Sequence, residues 1–174
     1  MVDKVKDYVT SNYITSDIID DFTTLCNYVE NQKLLGKKIA LCHGCFDPLH
    51  FGHIMHFEEA SKIADIVIVT ITADCFIKKG VNRPYFNHYK RKYMICSIKY
   101  INMSSINLWD NAVETIRRLK PDYFVKGVEY KNSSHKGFLL EKNEVEQMGG
   151  KVIYTETEKY SSTTLIEKGY FKII

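Results

Sequence analysis

The chain has 174 residues, 45% of them hydrophobic, and its 24 basic and 21 acidic side chains leave a formal charge of +3. This length and composition suit one domain with a core of ordinary size, and so small and evenly spread a charge argues against a nucleic-acid surface. There is no run of about 18 apolar residues to span a bilayer and no apolar secretory signal at the amino terminus. We therefore expect a cytoplasmic protein with neither a membrane nor a nucleic acid as partner.

An amphipathic helix is predicted within the first 36 residues, which form an amino-terminal helical extension. Apolar residues recur at helical spacing after Ser16, and the first turn of the predicted helix is acidic. They are Ile18, Ile19, Phe22, Leu25, Cys26 and Val29. Two roles stay open for this stripe, packing on the rest of the chain or dimerisation, and packing is favoured because such a stripe usually faces a core.

Strand-like and helix-like segments alternate from residue 38 onward. Strands are predicted at 39–42, 66–71, 104–107, 123–125 and 152–154, and helices at 54–64, 89–98, 112–119 and 139–148. Asp110 is the expected cap of the third of these helices. The alternation predicts an α/β domain over residues 37–174, with a Rossmann-like five-stranded parallel sheet and flanking helices.

The segment 41–53, Leu-Cys-His-Gly-Cys-Phe-Asp-Pro-Leu-His-Phe-Gly-His, joins the first strand to the helix after it. Its spacing places His50 and His53 at or just inside the helix amino terminus, where unpaired N–H groups and the helix dipole favour an anion. Gly52 removes a side chain that would keep a phosphate away, and imidazoles three residues apart can project to one side and donate hydrogen bonds. The segment predicts a phosphate site.

The same segment admits a zinc site as an alternative. Cys42 and Cys45 precede His50 and His53, and all four are acceptable zinc ligands. The distance along the chain between the two pairs is far shorter than in a zinc finger, and Cys42 falls in an apparent buried strand. The five cysteines form no disulfide framework, as expected of reduced thiols. The anion site is therefore preferred.

The longest predicted loop runs from residue 72 to residue 88 and carries Lys78, Lys79 and Arg83. Loops of this length in compact domains are usually functional or mobile. The alternative is a surface loop whose basic residues are merely solvated.

Further motifs follow the two histidines in a fixed order. They are Arg83-Pro84, Arg91, the segment Lys-Pro-Asp-Tyr-Phe-Val-Lys-Gly-Val-Glu-Tyr at 120–130, Gly-Gly-Lys-Val at 149–152 and Ser-Ser-Thr-Thr-Leu-Ile at 161–166. With the His-x-Gly-His motif, this ordered set resembles the cytidylyltransferase-like nucleotidyltransferases over residues 38–168. Within that superfamily it most resembles the adenylyltransferase domain of ADP-heptose synthases and the glycerol-3-phosphate cytidylyltransferases.

The resemblance implies an enzyme that transfers a nucleotide monophosphate from a nucleoside triphosphate, ATP in the first instance, to a heptose-like sugar phosphate and releases pyrophosphate. A cytidylyltransferase that makes a CDP-polyol or CDP-sugar from CTP is the alternative. A non-catalytic nucleotide-binding regulatory module is the alternative from another class. Mg²⁺ is implied by the triphosphate, held largely by phosphates and water.

The resemblance also implies roles for individual residues. His50 and His53 are expected to act on the triphosphate, and Lys78 or Lys79 matches a mobile lysine that reaches the phosphates. Nucleotide contacts are expected from Cys45, Phe46, Gly52, Lys126, Gly127, Glu129, Ser162, Thr163 and Thr164. Independently of the resemblance, the guanidinium forks of Arg83 and Arg91 are suited to clamp a phosphate or sugar phosphate of the substrate. Asp47 is expected to orient the substrate or a histidine, with a cap of the turn as the alternative. For Arg91 the alternative is an exposed helix residue, and His43 is left open between substrate and core.

Two departures from the family pattern bear on the base. An acidic residue of the adenylyltransferase segment is Glu129 here rather than Asp, and Thr157 replaces an arginine found in glycerol-3-phosphate cytidylyltransferases. Related adenylyltransferase domains are often fused to a sugar kinase, so the resemblance leaves open a larger bifunctional chain. A homodimer is also left open.

Overall fold

Five parallel strands form the central sheet in the computed structural model, which describes residues 16–156, with side chains from residue 21 onward. The strands are β1 (Ile39–Gly44), β2 (Ile66–Thr72), β3 (Met103–Asn107), β4 (Tyr123–Gly127) and β5 (Lys151–Thr155). Their order across the sheet is β3-β2-β1-β4-β5, and every neighbouring pair is parallel. The predicted Rossmann-like sheet is confirmed.

The helices of the described residues are α1 (Ser16–Leu34), α2 (Phe51–Ile63), α3 (His88–Cys96), α4 (Val113–Leu119) and α5 (Lys136–Gln147). Two single 3₁₀ turns, Asp74–Phe76 and Val128–Tyr130, follow β2 and β4. Over the described part of the chain, the structure contains no helix with both the length and the apolar character that a membrane crossing requires.

Side chains alternate between the two faces of the sheet along each strand, and helices cover both faces. On β1, Ile39 and Leu41 face one side, in a core shared with α1, α4 and α5. Ala40 and Cys42 face the other, in a core shared with α2 and α3. The near-continuous apolar runs that predicted these strands follow from this burial on both faces.

Helix α1 packs on the sheet through the stripe that its sequence predicted. Phe22, Leu25 and Val29 are all 2% exposed or less, and the Phe22 ring lies edge-on to Trp109 with 5.3 Å between ring centroids. These side chains are used within the chain, so they do not supply the dimerisation face that was the alternative for this helix.

The amino end of α4 differs from the prediction. The helix begins at Val113, whose N–H donates to the side-chain oxygen of Asn111 at 3.0 Å, while the N–H of Ala112 donates to Glu141 Oε1 at 3.0 Å. Asp110 instead accepts a hydrogen bond from the side-chain amide of Asn111 at 2.9 Å, so its predicted capping role was wrong. The group that replaces it comes from α5, a tertiary contact that local spacing does not reveal.

The strand order places a crevice at the carboxyl ends of β1 and β4. From β1 the chain moves outward through β2 and β3, then returns to the other side of β1 to form β4 and β5. The loops that leave β1 and β4 therefore diverge to opposite faces of the sheet. Open α/β sheets bind ligands at such a switch point.

Candidate functional site

Two histidines form the amino terminus of α2 beside this crevice. His50 is the residue before the first helical turn, with extended backbone (φ −146°, ψ 171°), and the N–H of His53 donates to the His50 carbonyl at 3.0 Å. The two imidazole rings stack with centroids 3.7 Å apart and planes inclined by 17°. The structure thus brings together the pair that the sequence placed at a helix terminus.

The protonation state of His53 follows from its contacts. The backbone N–H of His50 donates to His53 Nδ1 at 3.2 Å, and because that nitrogen accepts, the ring proton lies on Nε2. Burial lowers the pKa of His53 to about 3, and repulsion from Lys79 and from the protonated forms of His50 and His56 adds to the effect. Burial also lowers the pKa of His50. Near pH 7 the two rings are neutral hydrogen-bond donors.

The turn before α2 is shaped around Phe46. This residue has a left-handed backbone (φ +50°), and its ring lies edge-on to His53 at 5.1 Å between centroids. A Cβ on Gly44 would lie 3.1 Å from the Phe46 ring, so glycine leaves room for it. Phe46 supports the His53 ring, and Gly52 is buried in the first turn of α2.

Asp47 and Arg83, both predicted to contact substrate, pair with each other. Asp47 is buried, and its carboxylate accepts from Arg83 Nε at 2.8 Å and from the backbone N–H groups of Tyr85 and Phe86 at 2.9 to 3.1 Å. The Arg83 side chain is only 8% exposed and also donates to the Asp47 carbonyl. The pair ties the turn after β1 to the long loop, and both carboxylate oxygens are used within the protein.

Arg91 is fully buried rather than exposed or turned to substrate. Its guanidinium donates to the carbonyls of Cys45 (2.7 Å), Thr72 (2.8 Å) and Phe86 (2.9 Å) and to the Asp74 carboxylate (2.6 Å). These acceptors lie just after β1, at the end of β2 and in the long loop. Both predicted interpretations of Arg91 are corrected, because all three guanidinium nitrogens bond to groups of the protein.

The charge of one loop lysine reaches the helix terminus. The positive charge of Lys79 lowers the pKa of Cys45, His50 and His53, opposing the effect of burial at the cysteine and adding to it at the histidines. Lys79 is therefore a loop lysine whose charge acts at the helix terminus.

Lys126 lies at the carboxyl end of β4 in a buried ion pair. Its Nζ is 2.9 Å from Glu141 Oε2, and both side chains are 7% exposed. Aromatic rings enclose the ammonium: the centroids of Phe124 and Tyr130 lie 4.5 and 5.0 Å away. The sequence interpretation missed Glu141, although this acidic residue falls at helical spacing between the apolar residues Phe138 and Val145.

Gly127 and Glu129 follow Lys126 at the crevice. The Glu129 carboxylate lies directly over Gly127, in the space that a Cβ there would occupy. Glu129 is exposed and sits in the 3₁₀ turn that leaves β4. The structure thus places the predicted segment at the carboxyl edge of the sheet, with the Glu129 carboxylate exposed.

Two further histidines adjoin the site. His56, one helical turn beyond His53, has its Nδ1 3.2 Å from Thr155 Oγ1, and that hydroxyl donates to the Lys126 carbonyl at 3.4 Å. His43, left open by its sequence, lies with Nδ1 3.0 Å from Thr70 Oγ1. Burial lowers the pKa of each to about 4. His56 was not predicted, although its three-residue spacing from His53 was a visible signal.

Comparison with known proteins decides the family. The sequence pattern of the cytidylyltransferase-like family matches residues 41–168. The chain belongs to that family. The resemblance predicted from the ordered motifs is confirmed.

Curated relatives of this cytidylyltransferase-like chain carry the name bifunctional protein HldE. The one from Geobacter metallireducens is 31% identical over 153 residues, which is 86% of this chain and 30% of the relative. The one from Nitratiruptor sp. is 34% identical over 119 residues, or 67% and 26%, and one from Campylobacter jejuni is 39% identical over 98 residues, or 55% and 21%. The chain thus spans about a fifth to a third of the length of these relatives.

A solved structure shows the same fold. It is the lipopolysaccharide core biosynthesis protein from Thermoplasma volcanium, with a TM-score of 0.57 and 22% identity over 72% of this chain and 99% of the other. At that identity the likeness concerns the architecture of the cytidylyltransferase-like domain.

The alternative zinc site is not assembled. Cys42 is fully buried in the core between the sheet and helices α2 and α3, and this burial raises the pKa of its thiol to about 12. From residue 21 to residue 156, no three His, Cys, Asp or Glu side chains are placed to hold a metal ion. The predicted contacts of Ser162, Thr163 and Thr164, and the departure at Thr157, lie outside the described residues.

Proposed function

We propose that this cytidylyltransferase-like chain transfers an adenylyl group from ATP to a heptose-like sugar phosphate and releases pyrophosphate. The observation that carries the proposal is the stacked pair of neutral imidazoles, His50 and His53, at the amino terminus of α2 and beside the switch-point crevice. Donors and a helix dipole aimed at one point form a site for a polyphosphate.

The proposed reaction is an in-line substitution at phosphorus. An oxygen of the acceptor phosphate forms a bond to the α-phosphorus of ATP, and the bond from that phosphorus to the bridging oxygen of the β-phosphate breaks, so pyrophosphate departs with the electron pair. The acceptor is already ionised and needs no strong base. Orientation and stabilisation of the developing charge are the main tasks. These tasks fall to the Nε2–H group of His53, the His50 imidazole, the first N–H groups of α2 and the Lys79 ammonium.

A divalent cation, Mg²⁺ in this proposal, enters with the nucleotide. Asp47 lies in the turn between β1 and α2, and both of its carboxylate oxygens accept hydrogen bonds from Arg83 or from backbone N–H groups. The described side chains therefore do not form a dedicated binding site for the ion. Phosphate oxygens and water would hold the ion, and every step above depends on the protein's own groups.

The choice of substrates rests on the resemblance to ADP-heptose synthases and on the HldE relatives. Two other functions would give different experimental results. A cytidylyltransferase would share the phosphate contacts and differ at the base, where Glu129 departs from the adenylyltransferase pattern. A regulatory module would bind nucleotide without turnover.

One pair of measurements separates these outcomes. Thermal unfolding is followed with ATP, CTP, GTP or UTP plus Mg²⁺, because binding to the folded state raises Tm, and pyrophosphate release is assayed with each nucleotide over a panel of sugar and polyol phosphates. We expect the highest kcat/KM with ATP and a heptose phosphate. Preference for CTP favours the cytidylyltransferase, and a Tm shift without pyrophosphate release in any combination favours the module.

The name of the relatives suggests how the acceptor arises. They are bifunctional and far longer than this chain, and the family resemblance predicts a sugar kinase as the other activity. We propose that such a kinase supplies the sugar phosphate, whether in the same chain or as a separate protein.

The sequence also leaves open a homodimer. Light scattering of the purified protein would test it.

A further inference from the structure

Glu141 on α5 connects two loops at the carboxyl edge of the sheet. One carboxylate oxygen pairs with Lys126 Nζ at 2.9 Å, where β4 gives way to the segment with Gly127 and Glu129. The other accepts the N–H of Ala112 at 3.0 Å, at the end of the loop between β3 and α4. A single side chain thus spans α5, β4 and α4.

The burial of this pair makes its geometry demanding. The two side chains are each 7% exposed, and the Phe138 ring lies 5.9 Å from the Lys126 ammonium, on the side of α5. Two buried charges are tolerated only when they are paired and hydrogen-bonded, and removing one partner is strongly destabilising. Glu141 therefore restricts where Lys126, and the segment that follows it, can lie.

One turn further along α5, Glu144 serves another purpose. Its side chain is buried like that of Glu141, at 9% against 7% exposed, but its two oxygens bond to Arg117 Nε at 3.0 Å and Nη2 at 2.8 Å, on α4. Glu141 and Glu144 are therefore a matched pair of buried acids on one helix, one directed at the edge of the sheet and the other at the neighbouring helix.

We propose that Glu141 is a positioning residue for the nucleotide site: its carboxylate holds Lys126 and so places the segment 126–129 beside the nucleotide. This inference rests on the proposed function. If α5 only packed on the sheet, loss of this ion pair would not change nucleotide binding. The proposal predicts that it does. Glu141 acts through Lys126 and does not itself touch the substrate.

A double-mutant cycle tests the proposal. KM and kcat for the nucleotide are measured for wild type, Glu141→Gln, Lys126→Met and the double variant, with Glu144→Gln as the matched control. We expect Glu141→Gln to raise KM by about tenfold with a smaller change in kcat, and the double variant to bind no worse than Lys126→Met alone. We expect Glu144→Gln to lower Tm and leave KM unchanged.

Glu141→Asp and the double variant allow the proposal to be tested even if Glu141→Gln does not fold. Glu141→Asp retains the charge but shortens the side chain by one methylene, so it should fold and raise KM less than Glu141→Gln. The double variant carries no unpaired buried charge. If Glu141→Gln is unfolded, a KM for Glu141→Asp above the KM of wild type and of Glu144→Gln supports the proposal, and a KM equal to that of wild type overturns it.

Three further results would overturn it. They are a wild-type KM in Lys126→Met, an equal KM change in Glu141→Gln and Glu144→Gln, and a double variant with a KM well above that of Lys126→Met. In each of these cases the wild-type protein still turns over, so the proposed function stands. A wild-type protein that releases no pyrophosphate with any nucleotide and acceptor would instead overturn the proposed function together with this inference.

Discussion

His50 and His53 are joined twice, by ring stacking at 3.7 Å between centroids and by a hydrogen bond from the His50 N–H to His53 Nδ1 at 3.2 Å. The hydrogen bond fixes which nitrogen of His53 accepts, and burial keeps the ring neutral. The pair is therefore preorganised to donate hydrogen bonds before any phosphate arrives, and catalysis gains most from such fixed donors because they need no reorganisation.

Replacing His53 by Ala should lower kcat by about 100-fold or more and change the KM for nucleotide far less. A donor aimed at developing charge acts mainly in the transition state. The measurement is pyrophosphate release under saturating substrates, with circular dichroism and thermal unfolding to establish that the variant is folded. Near-normal turnover in a folded His53→Ala protein would contradict the assignment.

The adjacent loop lysines provide an internally matched comparison. We expect Lys79→Ala to reduce kcat/KM by about tenfold or more, and Lys78→Ala to change it by less than about threefold. The reason is that the Lys79 charge lowers the pKa of both His50 and His53, which places its effect at the helix terminus. Both variants remove one positive charge from one loop. Equal losses would show that both lysines, or neither, serve the phosphates.

The loop between residues 72 and 88 is predicted to become ordered when nucleotide and acceptor bind together. Arg83, Tyr85 and Phe86 are tied to Asp47, so we expect the movement at its tip, residues 77–82, around Gly80. Hydrogen exchange of the tip should slow on addition of both substrates, while the amides of Tyr85 and Phe86, which donate to Asp47, stay protected throughout. An unchanged exchange rate at the tip would count against closure.

Asp47→Ala should destabilise the protein by about 3 kcal/mol or more, because the Arg83 guanidinium, 8% exposed, would lose its buried partner. Unfolding by urea measures the effect. Asp110→Ala is the matched control: Asp110 is exposed, so its substitution should cost within about 0.5 kcal/mol. Similar losses in the two variants would show that the Asp47–Arg83 pair is not a structural anchor.

Stability should decline as the pH is lowered from about 7 towards 5. The folded protein holds the pKa of His43 and His56 at about 4, below the unfolded value of about 6.5. The unfolded chain therefore takes up protons first, and each histidine contributes a slope of up to about 1.4 kcal/mol per pH unit. The lowered carboxyl pKa values of Asp74, Asp122 and Glu141 act at more acidic pH. Urea unfolding at pH 7, 6 and 5 should show a shallower dependence for His56→Gln than for wild type.

Local patterns were sufficient for the architecture and for the helix terminus that carries His50 and His53. The apolar runs at β1 and β2 predicted strands buried on both faces, and the spacing of His50, Gly52 and His53 predicted a helix amino terminus facing an anion. These features depend on neighbours within one helical turn or one strand, so the sequence contains the interactions that form them. The order of the later motifs then sufficed for the family.

The partners of the buried charges were decided only by the tertiary structure. Arg83 and Arg91 carry the side chains of phosphate clamps, yet they bond to Asp47 and to the Cys45 carbonyl, 36 and 46 residues away along the chain. Lys126, at the end of β4, pairs with Glu141 on α5, the helix that follows β4 along the chain. A guanidinium or ammonium has the same chemistry whether it meets a substrate phosphate or a carboxylate of the protein. The difference lies in the distance and burial that packing imposes, which residue type and spacing do not contain.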